Sequence, residues 1–112
     1  MKEAIERHGS RFLARIFTLE ERDYCKAKRM KYEHYAARFA AKEAMMKAVG
    51  VKHKDRFRFS EIQIRRQPTG KPYIYLSAVT SKRFGLPKKF QIELSLAHEC
   101  EYAIATVLIV LS

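Results

Sequence analysis

The chain has 112 residues, enough for one small domain with a real core and too few for two. With 47% apolar and 31% charged residues it reads as folded rather than disordered, and a formal charge of +11 calls for an anionic partner: nucleic acid, acidic lipid, a phosphorylated ligand or an acidic protein. No apolar run approaches the ~20 residues of a membrane helix, no apolar N-terminal stretch marks a secretory signal, and Cys25 and Cys100 are too few for a disulfide framework or a zinc site, so a cytoplasmic location is expected.

Residues 2–17 read as a basic amphipathic helix interrupted near Gly9, with Ile5, Phe12, Leu13, Ile16 and Phe17 on its apolar positions. Thr18-Leu19-Glu20-Glu21 is a capping box, which starts a second helix at Leu19 and carries it to about residue 28. Lys26, Lys28, Arg29 and Lys31 make a basic connector. The spacing then predicts a long helix over 32–49, ended by Gly50 in the left-handed conformation. Its expected core stripe is Tyr32, Tyr35, Phe39, Met46 and Val49. Lys42 lies near that stripe, with its stem packed and its ammonium reaching water.

Beyond Gly50 the period falls to two. Ile62 and Ile64 alternate with Glu61, Gln63 and Arg65, then 67–72 has strong turn chemistry and 73–77 makes the return strand. A short helix or turn over 78–84 ends at Gly85. Phe90, Ile92, Leu94 and Leu96 face one side of a third strand, with Gln91, Glu93, Ser95 and Ala97 on the other. A turn over 98–101 leads to an almost wholly apolar strand, 102–111, expected in the middle of the sheet with both faces buried. The architecture is α+β in a single domain over 1–112: helices first, then an antiparallel sheet packed on the long helix.

One stripe of that helix carries chemistry. At 100° per residue Ala36, Ala40, Glu43 and Lys47 align, so two methyl-sized residues sit beside a carboxylate and an ammonium one turn apart. A large ligand can approach the backbone there and meet an acid able to hold a metal and a cation able to hold phosphate. By spacing alone, a solvated Glu-Lys pair worth a few tenths of a kcal/mol is the commoner outcome.

The segment RFAAKEAMMKAVG, from Arg38 to Gly50, resembles the signature helix of the holo-acyl-carrier-protein synthases, the small 4′-phosphopantetheinyl transferases. Arg11-Phe12-Leu13-Ala14-Arg15-Ile16-Phe17-Thr18 resembles the family's RFLxRIFT segment, and Gly70-Lys71-Pro72-Tyr73 its GKP turn. Ser95-Leu96-Ala97-His98 resembles its S-[LIV]-[ST]-H element, with Ala97 where a hydroxyl residue is common. The four motifs occur in family order and cover nearly the whole chain. The family's first strand, GIGxDIVEI with a metal-binding Asp, lies upstream of the resemblance, and its loss would leave a sheet edge unprotected.

The resemblance implies a 4′-phosphopantetheinyl transferase-like fold and a homotrimer with active sites between protomers. It implies transfer of the 4′-phosphopantetheine arm of coenzyme A to a serine of apo-acyl carrier protein, with Mg2+ as cofactor and 3′,5′-ADP as leaving product. By the same route Glu43 is the metal ligand and the catalytic group that orients or deprotonates the attacking hydroxyl, and Lys47 is the second catalytic residue, meeting the pyrophosphate. Arg38, Gly70, Lys71, Pro72, Ser95 and His98 meet coenzyme A, although an arginine at Arg38 serves equally to clamp a phosphate or to fix the helix to a carboxylate; Arg29 and Lys31 are assigned to the 3′-phosphate by position and charge. His8, Arg11, Phe12 and Arg15 form the carrier-binding face, cationic with one apolar anchor. Two other readings remain: a catalytically impaired homologue lacking the Asp-bearing strand, and a small basic nucleic-acid-binding domain. Aromatics at core-periodic positions and the lack of an RNP1-like or GXXG element argue against nucleic acid.

Overall fold

The computed structural model describes residues 1–50, 58–99 and 102–111. Helix α1 (Lys2–Ile16) is two helical pieces joined at Gly9, whose φ of 68° costs little only without a Cβ. Its apolar side packs against α2 (Leu19–Lys26) and α3 (Lys31–Val49), with Phe17, Cys25 and Tyr35 buried at the junction. The expected capping box forms: Thr18 N–H donates to Glu21 Oε1 at 2.7 Å, and Glu21 N–H donates to Thr18 Oγ1 at 3.1 Å. Helix α3 stops at Gly50, which takes φ 75° and ψ 20°.

A 3-10 turn (Phe59–Glu61) precedes the hairpin of β1 (Gln63–Arg66) and β2 (Pro72–Tyr75). Then come α4 (Ala78–Arg83), capped by the Ser77 hydroxyl, and a long hairpin of β3 (Phe90–Glu99) and β4 (Tyr102–Leu111). The second core gathers Ala41 and Met45 of α3 with Ile62, Ile64, Ile74, Phe84 and Leu94. Ile92, Leu96, Ala105, Val107 and Ile109 close over it. The α+β class and the antiparallel packing on the long helix are as expected, although the strands form two separate ladders among the described residues.

Three expectations are corrected. In α3 only Tyr35 of the expected core stripe is fully buried; Tyr32, Phe39, Met46 and Val49 are half-buried, and Ala37, Arg38, Ala41, Lys42 and Met45 are buried instead. The helix is covered on two sides, by α1 and α2 and by the hairpins, so no single apolar stripe marks its interior. Strand β4 is not central: among the described residues it pairs only with β3, and its outer face exposes Tyr102, Ile104, Leu108 and Val110. His98 belongs to the end of β3 rather than to a turn, and positions 100 and 101 of the expected turn lie outside the described residues.

Candidate active site

A further correction concerns Lys42, whose ammonium does not reach water. It is fully buried and donates to the carbonyls of Ile62 (2.6 Å) and Phe59 (3.0 Å), with Glu21 Oε1 at 3.0 Å. Burial draws the Lys42 pKa below that of a free lysine, and the Glu21 carboxylate opposes the shift. Glu21 Oε2 accepts from the Ile64 amide at 2.7 Å, so one carboxylate caps α2, anchors α3 and holds the start of β1. This network locks α3 against rotation and thereby fixes which residues face outward.

The outward stripe is the one read from the spacing: Ala36, Ala40 and Glu43 are half-buried and Lys47 is exposed. The Glu43–Lys47 ion pair does not form, and Glu43 has no hydrogen-bond or ion-pair partner among the described residues. At the N-terminal end of this stripe an open cavity of about 540 Å³ is lined by Arg29, Lys31, Tyr32, Glu33, Ala36 and Tyr102, among others. The helix rise puts Glu43 about 10 Å beyond Ala36 along the same face. The structure thus brings Arg29 and Lys31 to the alanine floor that leads to the acid.

Arg38 points elsewhere, roughly 140° around the helix from Glu43. It is 5% exposed, and its Nη1 donates to the His34 carbonyl at 3.4 Å. Its guanidinium lies 4.3 Å from the Tyr24 ring centre, and that of Arg66 lies 4.2 Å from the same ring. No carboxylate pairs with Arg38 among the described residues, so it does not tie the helix to an acid. With Tyr24, Arg66 and Gly70 it lines a cavity of about 320 Å³. Arg65, Glu20 and Glu21 line the same cavity, so the charge around this guanidinium is mixed. Gly70, at φ 95°, turns the β1–β2 hairpin and accepts from Arg66 Nε at 3.2 Å. Lys71 and Pro72 line a different groove, against Tyr73, Phe90 and Gln91.

His98 faces α3, with Nδ1 3.2 Å from Glu33 Oε1 and its ring 4.9 Å from that of His34. Ser95, three residues earlier on β3, is exposed on the opposite face, beside Thr106, and does not join His98. On α1, His8, Arg11 and Arg15 are exposed and Phe12 is half-buried, with the His8 and Phe12 rings 6.0 Å apart across the Gly9 kink. Tyr24, Arg66, Glu33 and His34 had no motif to announce them; the first two meet Arg38 only through tertiary packing. Cys25 is buried, which pushes its thiol pKa up to about 11. No cluster of three metal-ligand side chains occurs among the described residues, and no helix is long and apolar enough to cross a membrane.

Residues 1–107 match the model of the 4′-phosphopantetheinyl transferase superfamily. The chain belongs to that family. It is 42% identical over 110 residues to the holo-[acyl-carrier-protein] synthase of Ruminiclostridium cellulolyticum, covering 97% of this chain and 82% of the relative. Its fold superposes on the Helicobacter pylori holo-[acyl-carrier-protein] synthase in complex with coenzyme A with a TM-score of 0.82, at 30% identity, covering 96% of this chain and 89% of that one. The Bacillus anthracis holo-(acyl-carrier-protein) synthase, in complex with CoA (3′,5′-ADP), gives a TM-score of 0.76 at 33% identity, covering 98% and 89%. The motif resemblance and the transferase fold are both borne out, and the nucleic-acid reading gains no support.

Proposed function

We propose that the chain transfers the 4′-phosphopantetheine arm of coenzyme A to a serine hydroxyl of apo-acyl carrier protein, releasing 3′,5′-ADP in a magnesium-dependent reaction. The observation that carries this reading is the outward stripe of α3. There an acid without a partner and an exposed lysine stand one turn apart above two alanines, on a helix whose inward lysine is fully paired. The serine oxygen forms its bond to the β-phosphorus of coenzyme A, the pyrophosphate P–O bond breaks, and the serine proton leaves to a base.

Magnesium is held by one or two carboxylates and fills its shell with water and substrate phosphate oxygens, so the free Glu43 carboxylate fits it. Bound there, the ion would neutralise charge on the pyrophosphate. Glu43 also orients the attacking hydroxyl, and Lys47 meets the pyrophosphate as a mobile point charge. Arg29 and Lys31, at the cavity along the same stripe, take the 3′-phosphate. Arg38 and Gly70, which share a second cavity, are further coenzyme contacts, as are Lys71, Pro72, Ser95 and the ring of His98. Because Arg38 and Ser95 face away from Glu43, one coenzyme molecule would meet all of them only across a junction between chains. A homotrimer supplies that junction, and the apolar outer face of β4 is the surface it would bury. The carrier docks on α1 through His8, Arg11, Phe12 and Arg15, steered by the positive charge. A cytoplasmic location fits the free thiol of Cys25.

The test is direct. The purified chain is incubated with magnesium, coenzyme A and apo-acyl carrier protein, and the carrier is weighed by mass spectrometry. A phosphopantetheine adduct that disappears with EDTA and with Glu43→Ala is the expected result. Coenzyme A binding without an adduct would instead mark an impaired homologue.

A further inference from the structure

The Glu33–His98 contact has no assigned role, and its chemistry is specific. A carboxylate only accepts hydrogen bonds, so the proton between Glu33 Oε1 and His98 Nδ1, 3.2 Å apart, belongs to the imidazole. The Glu33 side chain is 13% exposed and the His98 side chain 31%, so the carboxylate is the better shielded partner. On the other flank the His34 ring stands at 61° to the His98 ring and limits its rotation. His34 is itself wedged edge-on against Tyr24, 5.6 Å between ring centres. His34 in turn feels the charges of Arg38 on α3 and Lys28 beyond the end of α2, while Lys2, Glu3, Arg29 and Lys31 share a cavity with Glu33. With Nδ1 engaged, Nε2 is the ring nitrogen left for a ligand.

We propose that Glu33 is a positioning residue for the transfer reaction: it holds the His98 ring in the Nδ1–H tautomer and presents Nε2 to the phosphates of the substrate. This rests on the transferase reading, in which His98 meets coenzyme A. Free imidazole prefers the opposite tautomer, so the signature is distinctive. Long-range 15N–1H spectra of the substrate-free chain at about pH 8, where histidine is neutral, report it directly. The expected result is Nδ1–H for His98 in the wild type and Nε2–H in Glu33→Ala. Glu33→Gln, which keeps an acceptor oxygen, retains the wild-type tautomer and most of the activity. Glu33→Ala lowers kcat/KM for coenzyme A about tenfold, the scale of one charged hydrogen bond. The double variant Glu33→Ala/His98→Ala is no slower than His98→Ala alone. An Nε2–H tautomer in the wild type, or additive losses in the double variant, overturns the proposal. So does an unchanged rate in Glu33→Ala while the wild type transfers normally, a result that leaves the transferase reading standing. A wild type with no transfer at all sinks that reading instead.

Discussion

Lys42 and Glu43 are neighbours on α3 and are treated in opposite ways. The lysine is fully buried and surrounded by a carboxylate and two carbonyls. The glutamate, one position on, is half-buried and has no partner among the described residues. Desolvating a charge is expensive unless partners replace the water, so the position of Lys42 is dictated by stability. Nothing in the packing requires an acid at Glu43. The same helix therefore separates into a side whose charges hold the fold and a side whose charges are left available for a ligand.

The sharpest way to break this contrast is on the buried side. Lys42→Ala leaves the Glu21 carboxylate inside without its cation, and the expected cost is about 3–5 kcal/mol. Urea unfolding should show a lower midpoint at constant slope. Replacing both partners by apolar residues, Glu21→Leu with Lys42→Met, should recover part of the loss, limited by the orphaned Ile64 amide. A single variant that melts like the wild type would mean the pair does not anchor α3. Glu43→Ala is the reciprocal experiment. Stability should move by less than about 0.5 kcal/mol, while transfer falls by a factor of roughly 100–1,000, the usual effect of deleting one electrostatic group from a reaction centre. A large stability loss there would erase the division between the two sides.

The difference in legibility between these residues follows from range. The capping box, the Gly50 stop and the Ala36–Ala40–Glu43–Lys47 stripe are local patterns, and each stands in the structure as read. Glu21 was legible as a cap because Thr18 is three residues away, but its bond to the Ile64 amide spans 43 residues and has no local signal. The same holds for Lys42, whose buried state depends on carbonyls 17 and 20 residues downstream. Ser95 and His98 sit in one motif, yet an odd spacing on a strand sends them to opposite faces.

Strand β4 departs from its expected central place for a related reason: an apolar run on a strand does not say which element, if any, lies against each of its faces. Ala103, Ala105, Val107 and Ile109 are half-buried, and the last three pack over the core, whereas Ile104, Leu108 and Val110 lie open beside Gln91, Glu93 and Ala97 of β3. If the proposed homotrimer buries that face, Leu108→Glu should leave only monomer in light scattering while the helical circular dichroism stays intact. Activity should fall with assembly, because residues facing away from Glu43 would lose their route to it. A variant that stays trimeric would move the interface elsewhere.

The smallest expected effect comes from His34. Burial lowers its pKa below 6.5, aided by repulsion from Arg38, His98 and Lys28 and opposed by Glu33. The folded chain therefore binds this proton less readily than the unfolded chain. The stability His34 contributes is complete above the unfolded value, near 6.5, and is lost as pH falls through the lower folded value. Urea midpoints measured between about pH 7 and pH 5 should decline with acid in the wild type and decline less in His34→Gln. Parallel curves for the two proteins would show that this ring is not disfavoured as a cation. In that case the cluster around Tyr24 already tolerates the added positive charge.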